Sequence, residues 1–222
     1  MSITVRILSS GSGGNCTIIG GRIAIDAGLP YKHIAPYEDG LEVVLLTHCH
    51  RDHLQPAALR GLAKRSGRLF GVPDYLVDEV RKTGVPDAQT VSANAGDVVR
   101  FEGFSVIPFR LKHDVPNQGY KIHFDSGEKI FFATDTGGLD GIEAPNYDLY
   151  LVEANHTEAD IRRRIWEKEV EGVYCYEYKA RRNHLSKEAC DAWLYTQMGS
   201  RSRYVYMHQH KDKEKEKKTK DG

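Results

Sequence analysis

The chain has 222 residues, room for one large domain or two small ones, and its 31 basic residues equal its 31 acidic ones. Zero net charge argues against a protein that coats nucleic acid, and no run of about 18 apolar residues is present to span a membrane. Cys16, Cys49, Cys175 and Cys190 form no CxxC pair and no signal peptide opens the chain, so a reduced, cytoplasmic setting is expected, while ten histidines point toward metal ligands.

In chain order, Ile3–Leu8, Cys16–Ile19 and Arg22–Asp26 read as strands separated by glycine-rich turns. The loop from Ser9 to Asn15, Ser-Ser-Gly-Ser-Gly-Gly-Asn, lacks the GK[ST] of a phosphate-binding P-loop. Glu42–Thr47 is almost wholly apolar and predicts a buried central strand. Pro56–Arg65 and Tyr75–Thr83 carry helical spacing. Val98–Phe101, Phe104–Leu111, Gly119–Phe124 and Lys129–Thr134 predict a strand meander, with one hairpin turned at Asp125-Ser-Gly127. Asp148–Glu153 is a further strand, Glu158–Glu171 a charged helix, Ser186–Met198 a helix capped by Ser186, and Arg203–Met207 the last strand. Strands fall in two clusters, each followed by helices. That pattern implies one α/β domain over residues 1–210 with two sheets inside and helices outside. Residues 211–222 hold six lysines, four acidic residues and no hydrophobic one, which predicts a disordered charged tail.

Directly after the buried strand comes His48-Cys-His50-Arg-Asp52-His53. Four potential ligands within six residues can aim side chains at one metal and at a neighbour, and imidazole with carboxylate suits Zn²⁺, Mn²⁺ or Fe. A polar surface turn with this composition would be a rare coincidence.

The HxHxDH pattern resembles the metallo-β-lactamase superfamily, whose fold is a four-layered αβ/βα sandwich. That resemblance implies further ligands at strand ends downstream: His113 after Phe109–Leu111, Asp135 after Phe131–Thr134, and His208 after Tyr204–Met207. The implied site holds two divalent metal ions, Zn or Mn. His48, His50 and His113 would take one; Asp52, His53 and His208 the other, with Asp135 between them. A bridging hydroxide would attack the substrate, and Asp52 would double as general base. Asp26 resembles the family's carboxylate that supports the ligand loop from behind; its plain alternative is a turn aspartate before Gly28.

Three segments resemble particular branches. Ser9–Asn15 is similar to the SGSxGN start of YycJ-like members, which are linked to 5′→3′ exonuclease activity on DNA. The segment Glu153-Ala-Asn155-His156 is similar to the ExNH of the same group and sits where ribonuclease Z has a comparable segment. Asn183-His184-Leu-Ser186 opens a helix as in ribonuclease Z. By that resemblance His184 is the general acid, His208 the last ligand with His210 its rival, Glu153 a supporting carboxylate and Asn155 a substrate contact; His156 is either a phosphate contact or a core-capping histidine, and Arg182 is a substrate contact by its place in the basic stretch. Lys179, Arg181, Arg182 and Lys187 form a basic stretch around His184 that is either a phosphate attractor or a solvated loop. The expected activity is a phosphodiesterase acting on DNA, with a cyclic nucleotide as the alternative substrate. A thioester hydrolase and a non-enzymatic metal-binding protein stand behind it. Dimers are common among such members, so a homodimer is among the expectations; a membrane partner is not.

Overall fold

The computed structural model describes residues 3–210; the tail expected at 211–222 lies outside the described residues. Two six-stranded sheets pack face to face. The first runs β1 (Val5–Ser9), β2 (Cys16–Ile19), β3 (Ile23–Ile25), β4 (Val43–Leu45), β5 (Leu69–Val72) and β6 (Thr90–Ser92) in sequence order. In the second, β7 (Val99–Phe101), β8 (Phe104–Leu111), β9 (Asn117–Phe124), β10 (Lys129–Ala133), β11 (Leu149–Glu153) and β12 (Arg203–Met207) follow the same simple order. Helices α1 (Tyr31–Ile34), α2 (Pro56–Leu62) and α3 (Val77–Thr83) accompany the first sheet; α4 (Glu158–Glu171), α5 (Glu177–Asn183) and α6 (Lys187–Gln197) follow β11. Among the described residues no helix is long and apolar enough to cross a membrane.

Three apolar layers hold this together, and they are the direct result of the strand patterns. Ile19, Ile23, Ile25, Val43 and Leu45 of the first sheet meet Phe104, Val106, Tyr120, Ile122 and Phe132 of the second. The alternate residues Ile18, Ala24 and Val44 turn outward onto Ile34, Leu59, Leu62 and Val80 of the helices. On the far side, Phe131, Tyr150 and Val152 pack on Cys190 and Leu194 of α6. Strands buried on both faces must be apolar at every position, as β4 is. The four-layered sandwich is therefore the architecture observed.

The expected elements reappear with ends moved by up to three residues: most are trimmed, β1 starts two residues later and ends one later, and β9 starts two residues earlier, at Asn117. Phe104–Leu111, Glu158–Glu171 and Arg203–Met207 keep their bounds, and Ser186 caps α6 by accepting from the Ala189 N–H at 3.2 Å. Four elements escaped the pattern: α1, β5, β6 and α5. Each is seven residues or fewer, too short to establish a period.

Topology places the site. Strands β3 to β6 run parallel to one another, as do β10 to β12. Asp26, Thr47, Asp135, Glu153 and His208 stand at or just past the carboxyl ends of β3, β4, β10, β11 and β12. Both sheets thus deliver polar groups to one rim, the usual ligand position in parallel α/β sheets.

Candidate metal centre

The loop after β4 carries His48 to His53 over a floor of backbone contacts. The Asp52 carbonyl accepts from the Asn15 N–H at 2.7 Å, and the His53 carbonyl from the Ala27 N–H at 2.9 Å. Gly28 lies so close that a Cβ there would sit 1.7 Å from the Asp52 carbonyl oxygen. Gly28→Ala is therefore expected to lower stability by at least about 1–3 kcal/mol, the usual range for overpacking, with displacement of the ligand loop. Denaturant unfolding together with metal content checks it; wild-type values for both would contradict this packing.

Three imidazole nitrogens converge at one end of the rim. His50 Nδ1 is 3.1 Å from His48 Nε2 and 3.4 Å from His113 Nε2. Burial, followed by the charge of His53, holds His48 well below the usual histidine range, and burial lowers His113 as well. Neutral rings with lone pairs directed at one point are what a metal requires. Thr47 Oγ1 lies 3.0 Å from His48 Nδ1, and the Asn183 carbonyl 3.2 Å from His113 Nδ1, so each ring is anchored through its other nitrogen.

The second group is built around Asp135. His53 Nε2 lies 2.8 Å from Asp135 Oδ2, His208 Nε2 is 3.4 Å from Asp135 Oδ1, and Asp52 Oδ2 is 3.8 Å from His53 Nε2. The 2.8 Å approach has the distance but not the alignment of a hydrogen bond: Asp135 Oδ2 and His208 Nε2 are both buried without a hydrogen-bond partner. Ligand atoms of His48, His50 and His113, of His48, His53 and Asp135, and of Asp52, His53 and His208 each gather within 4.8 Å. Asp135 so stands beside both groups.

Electrostatics supports the same fit. Burial opposes charge on His53, His208 and His184, yet neighbouring carboxylates override it and hold all three above the usual range. Asp135 is held well below the carboxylate range by His53 and His208 despite its burial. Protons gathered on imidazoles by buried carboxylates mark a site where divalent cations can take their place.

Two carboxylates work from behind. Asp26 is fully buried; its Oδ1 accepts the Thr47 N–H at 2.9 Å, and its Oδ2 takes the His53 Nδ1–H at 2.7 Å. From there Asp26 ties Thr47 and His53 together. Glu153 binds two rings through Oε1, His184 Nδ1 at 2.7 Å and His208 Nδ1 at 3.2 Å. Its Oε2 accepts the Thr136 and Leu185 N–H groups at 2.8 and 3.3 Å. With Nδ1 committed to Glu153, Nε2 is the reactive nitrogen of both histidines.

The remaining expected residues are placed as follows around the rim. Asn155, expected to touch substrate, donates from Nδ2 to the His208 carbonyl at 2.9 Å and so positions a candidate ligand. His156 is buried, with its Nε2 shut off from solvent and from any partner, so this conformation offers no phosphate contact there. Arg182 is exposed on α5, with its carbonyl packed against Gly137, two residues past Asp135. His210 is also exposed and belongs to none of the converging groups among the described residues, which favours His208. His184 reaches the rim, 3.6 Å by Nδ1 from Asp135 Oδ1, and joins a fourth group with Asp135, Glu153 and His208. The basic stretch is largely neutralised: Lys179 pairs with Asp114 at 2.8 Å, Arg181 with Glu158 at 3.2 Å and Lys187 with Asp191 at 2.6 Å.

Other residues emerge only from the structure. Asn15 Nδ2 lies 2.8 Å from His53 Nε2 and 3.3 Å from Asp52 Oδ2. Asp114 Oδ1 is 3.2 Å from His113 Nε2. Asn117 donates to the Asp135 carbonyl at 2.7 Å. Asn15 had one signal, its place at the end of the glycine-rich loop; the other two are ordinary loop and strand residues by sequence.

A two-sheet sandwich with histidines and aspartates gathered on one rim defines a metallohydrolase-like class. The chain matches the beta-lactamase superfamily domain over residues 22–208 and belongs to that family. It is 29% identical over 123 residues to a UPF0173 metal-dependent hydrolase of Myxococcus xanthus, covering 49% of this chain and 42% of the relative. A UPF0173 metal-dependent hydrolase of Metallosphaera sedula is 29% identical over 126 residues, 54% of this chain and 56% of the relative. The chain thus spans about half the length of these relatives. In fold it is similar to the metallo-beta-lactamase fold protein YhfI of Bacillus subtilis, with a TM-score of 0.71 and 14% identity over 98% of this chain and 90% of that one. The short form of human tRNase Z gives a TM-score of 0.70 and 19% identity over 93% and 92%.

Proposed function

We propose that this chain is a metal-dependent hydrolase that cleaves phosphodiesters at a centre of two divalent cations. The observation that carries the reading is the convergence of His48, His50 and His113 beside Asp52, His53 and His208, with Asp135 adjoining both groups. Membership of the beta-lactamase superfamily and the metal-dependent hydrolase relatives support the hydrolase class. A shared fold with tRNase Z and the presence of His184 beside the ligands support phosphorus as the reacting atom.

When bound, the cations would polarise the phosphoryl oxygens and lower the pKa of a water at the site. The chain's own residues supply the proton transfers. The Asp52 carboxylate, steadied by Asn15 Nδ2, is placed to accept the proton of the attacking water. His184 donates from Nε2 to the leaving oxygen, while Glu153 keeps its Nδ1–H and stabilises the charged ring. The finer reading, a DNA 5′→3′ exonuclease of the YycJ-like kind, draws on the resemblance of the Ser9–Asn15 and Glu153–His156 segments. The ion-paired basic stretch suits an enzyme that grips a substrate end rather than a long duplex. It also keeps a cyclic nucleotide as the second reading.

A substrate panel with Mn²⁺ and Zn²⁺ tests this: bis-p-nitrophenyl phosphate, linear DNA, cyclic nucleotides and a thioester. Loss of DNA from its 5′ end is the expected result. Turnover of cyclic nucleotides alone would select the second reading, and turnover of the thioester alone would reject the phosphodiesterase. For His184→Ala, retained metal and about 100-fold slower hydrolysis are expected, within the usual worth of a general acid. Loss of metal from that variant would make His184 a ligand.

A further inference from the structure

A cleft of about 660 Å³ opens beside His113, within the size range of small-molecule sites. Its walls come from both sheets: Asp74 and Tyr75 after β5, Asn94 after β6, and Arg110 and Lys112 at the end of β8. Arg110 lies opposite Gln118 on β9, and the Gln118 side chain reaches the Ala93 carbonyl of the first sheet at 3.0 Å. Cross-strand partners share a face, so Arg110 is on the side of its sheet that looks toward the first sheet and into the cleft.

This cleft has a rigid floor and unspent cations. The Tyr75 hydroxyl donates to the Thr47 carbonyl at 2.6 Å, which fixes the ring next to the ligand loop while leaving the residue 37% exposed. Asn94 fixes the adjoining wall by accepting the Asp74 N–H at 2.9 Å and donating to Ser92 Oγ at 3.0 Å. Arg110 and Lys112 are exposed and form no ion pair with any described residue. Lys179, Arg181 and Lys187, by contrast, are all spent on carboxylates. Asp74 is the one acidic side chain in the lining. His113 belongs both to the cleft wall and to the first ligand group, so an occupant abuts the reacting centre.

Two unpaired cations beside an exposed aromatic ring match a nucleotide carrying a phosphate separate from the one that reacts: the cations take the phosphate and the ring the base. We propose that this cleft is a second-phosphate subsite. It seats the nucleoside next to the scissile bond against Tyr75 and that nucleoside's further phosphate at Arg110 and Lys112. The inference rests on the phosphodiesterase reading and narrows it to substrates with at least two phosphates, a DNA end in preference to a cyclic mononucleotide.

Calorimetric titration of the metal-loaded protein with thymidine 3′,5′-bisphosphate and thymidine 5′-monophosphate tests it. The wild type is expected to bind the bisphosphate about tenfold more tightly or better, as charge-assisted contacts to one extra phosphate provide. Arg110→Ala combined with Lys112→Ala should remove most of that preference, with an unchanged melting temperature showing that the fold is intact. Tyr75→Leu should weaken both nucleotides, and Tyr75→Phe, which keeps the ring, should restore them. Equal affinity of the wild type for both ligands, or a preference that survives the double substitution, would overturn the subsite. Failure of the broader reading is separate: it would appear as no hydrolysis of bis-p-nitrophenyl phosphate by the metal-loaded wild type.

Discussion

Asp135→Asn is expected to reduce phosphodiester hydrolysis by more than about 100-fold and to strip at least one metal equivalent from the protein, because among the described residues no other carboxylate adjoins both ligand groups. Asparagine is the informative replacement. Asp135 has a positive φ of 58°, a left-handed backbone that asparagine tolerates better than most residues, and its carbonyl stays anchored by Asn117. The fold is therefore retained while one carboxylate oxygen becomes an amide that cannot ligate. Metal content by mass spectrometry and the initial rate on bis-p-nitrophenyl phosphate measure the two effects. A variant with full metal and the wild-type rate would remove Asp135 from the centre.

Glu153→Gln should act on two histidines at once. Both oxygens of Glu153 are acceptors, Oε1 for His184 and His208 and Oε2 for the Thr136 and Leu185 N–H groups. Glutamine has a single acceptor oxygen, so its NH₂ must face donors whichever way it turns. An unsatisfied buried donor costs about 1–3 kcal/mol, to be read from denaturant unfolding. Losing the carboxylate behind a ligand histidine typically costs about 10–100-fold in metal affinity or activity. His184 would also lose the main partner that raises its proton affinity, and His208, raised first by Asp135, would lose its second. An unchanged rate would mean that these rings are held by other contacts.

Much of this candidate site can be read along the chain because the proposed ligands sit in recognisable local settings. His48 to His53 form one short cluster after an apolar strand, and His113, Asp135 and His208 each follow a strand with a clear pattern. The supporting residues are legible only in part. Asp26 and Glu153 end up buried because strands far apart in sequence, β3 with β4 and β11 with β10 and β12, set them beside the ligands. Asn155 and His156 turned inward because the chain after β11 pairs with the start of α6, where His156 bridges to Ser186. No one-dimensional pattern carries that pairing. Asp26, Asp135 and His208, with φ of 61°, 58° and 51°, also share a strained backbone that sequence alone does not announce. Such strain collects at functional sites, where the surrounding structure over-determines it. The basic stretch shows the converse limit. Its charges were visible, but the carboxylates that neutralise them, Asp114, Glu158 and Asp191, come from other elements or the next helical turn.

The centre itself rests on the claim that one chain binds two divalent cations through these residues. Metal content after loading with Mn²⁺ or Zn²⁺ and removal of excess ion tests it most directly. Two equivalents per chain are predicted, falling on substitution of Asp135; a wild-type protein that retains no metal would contradict the account.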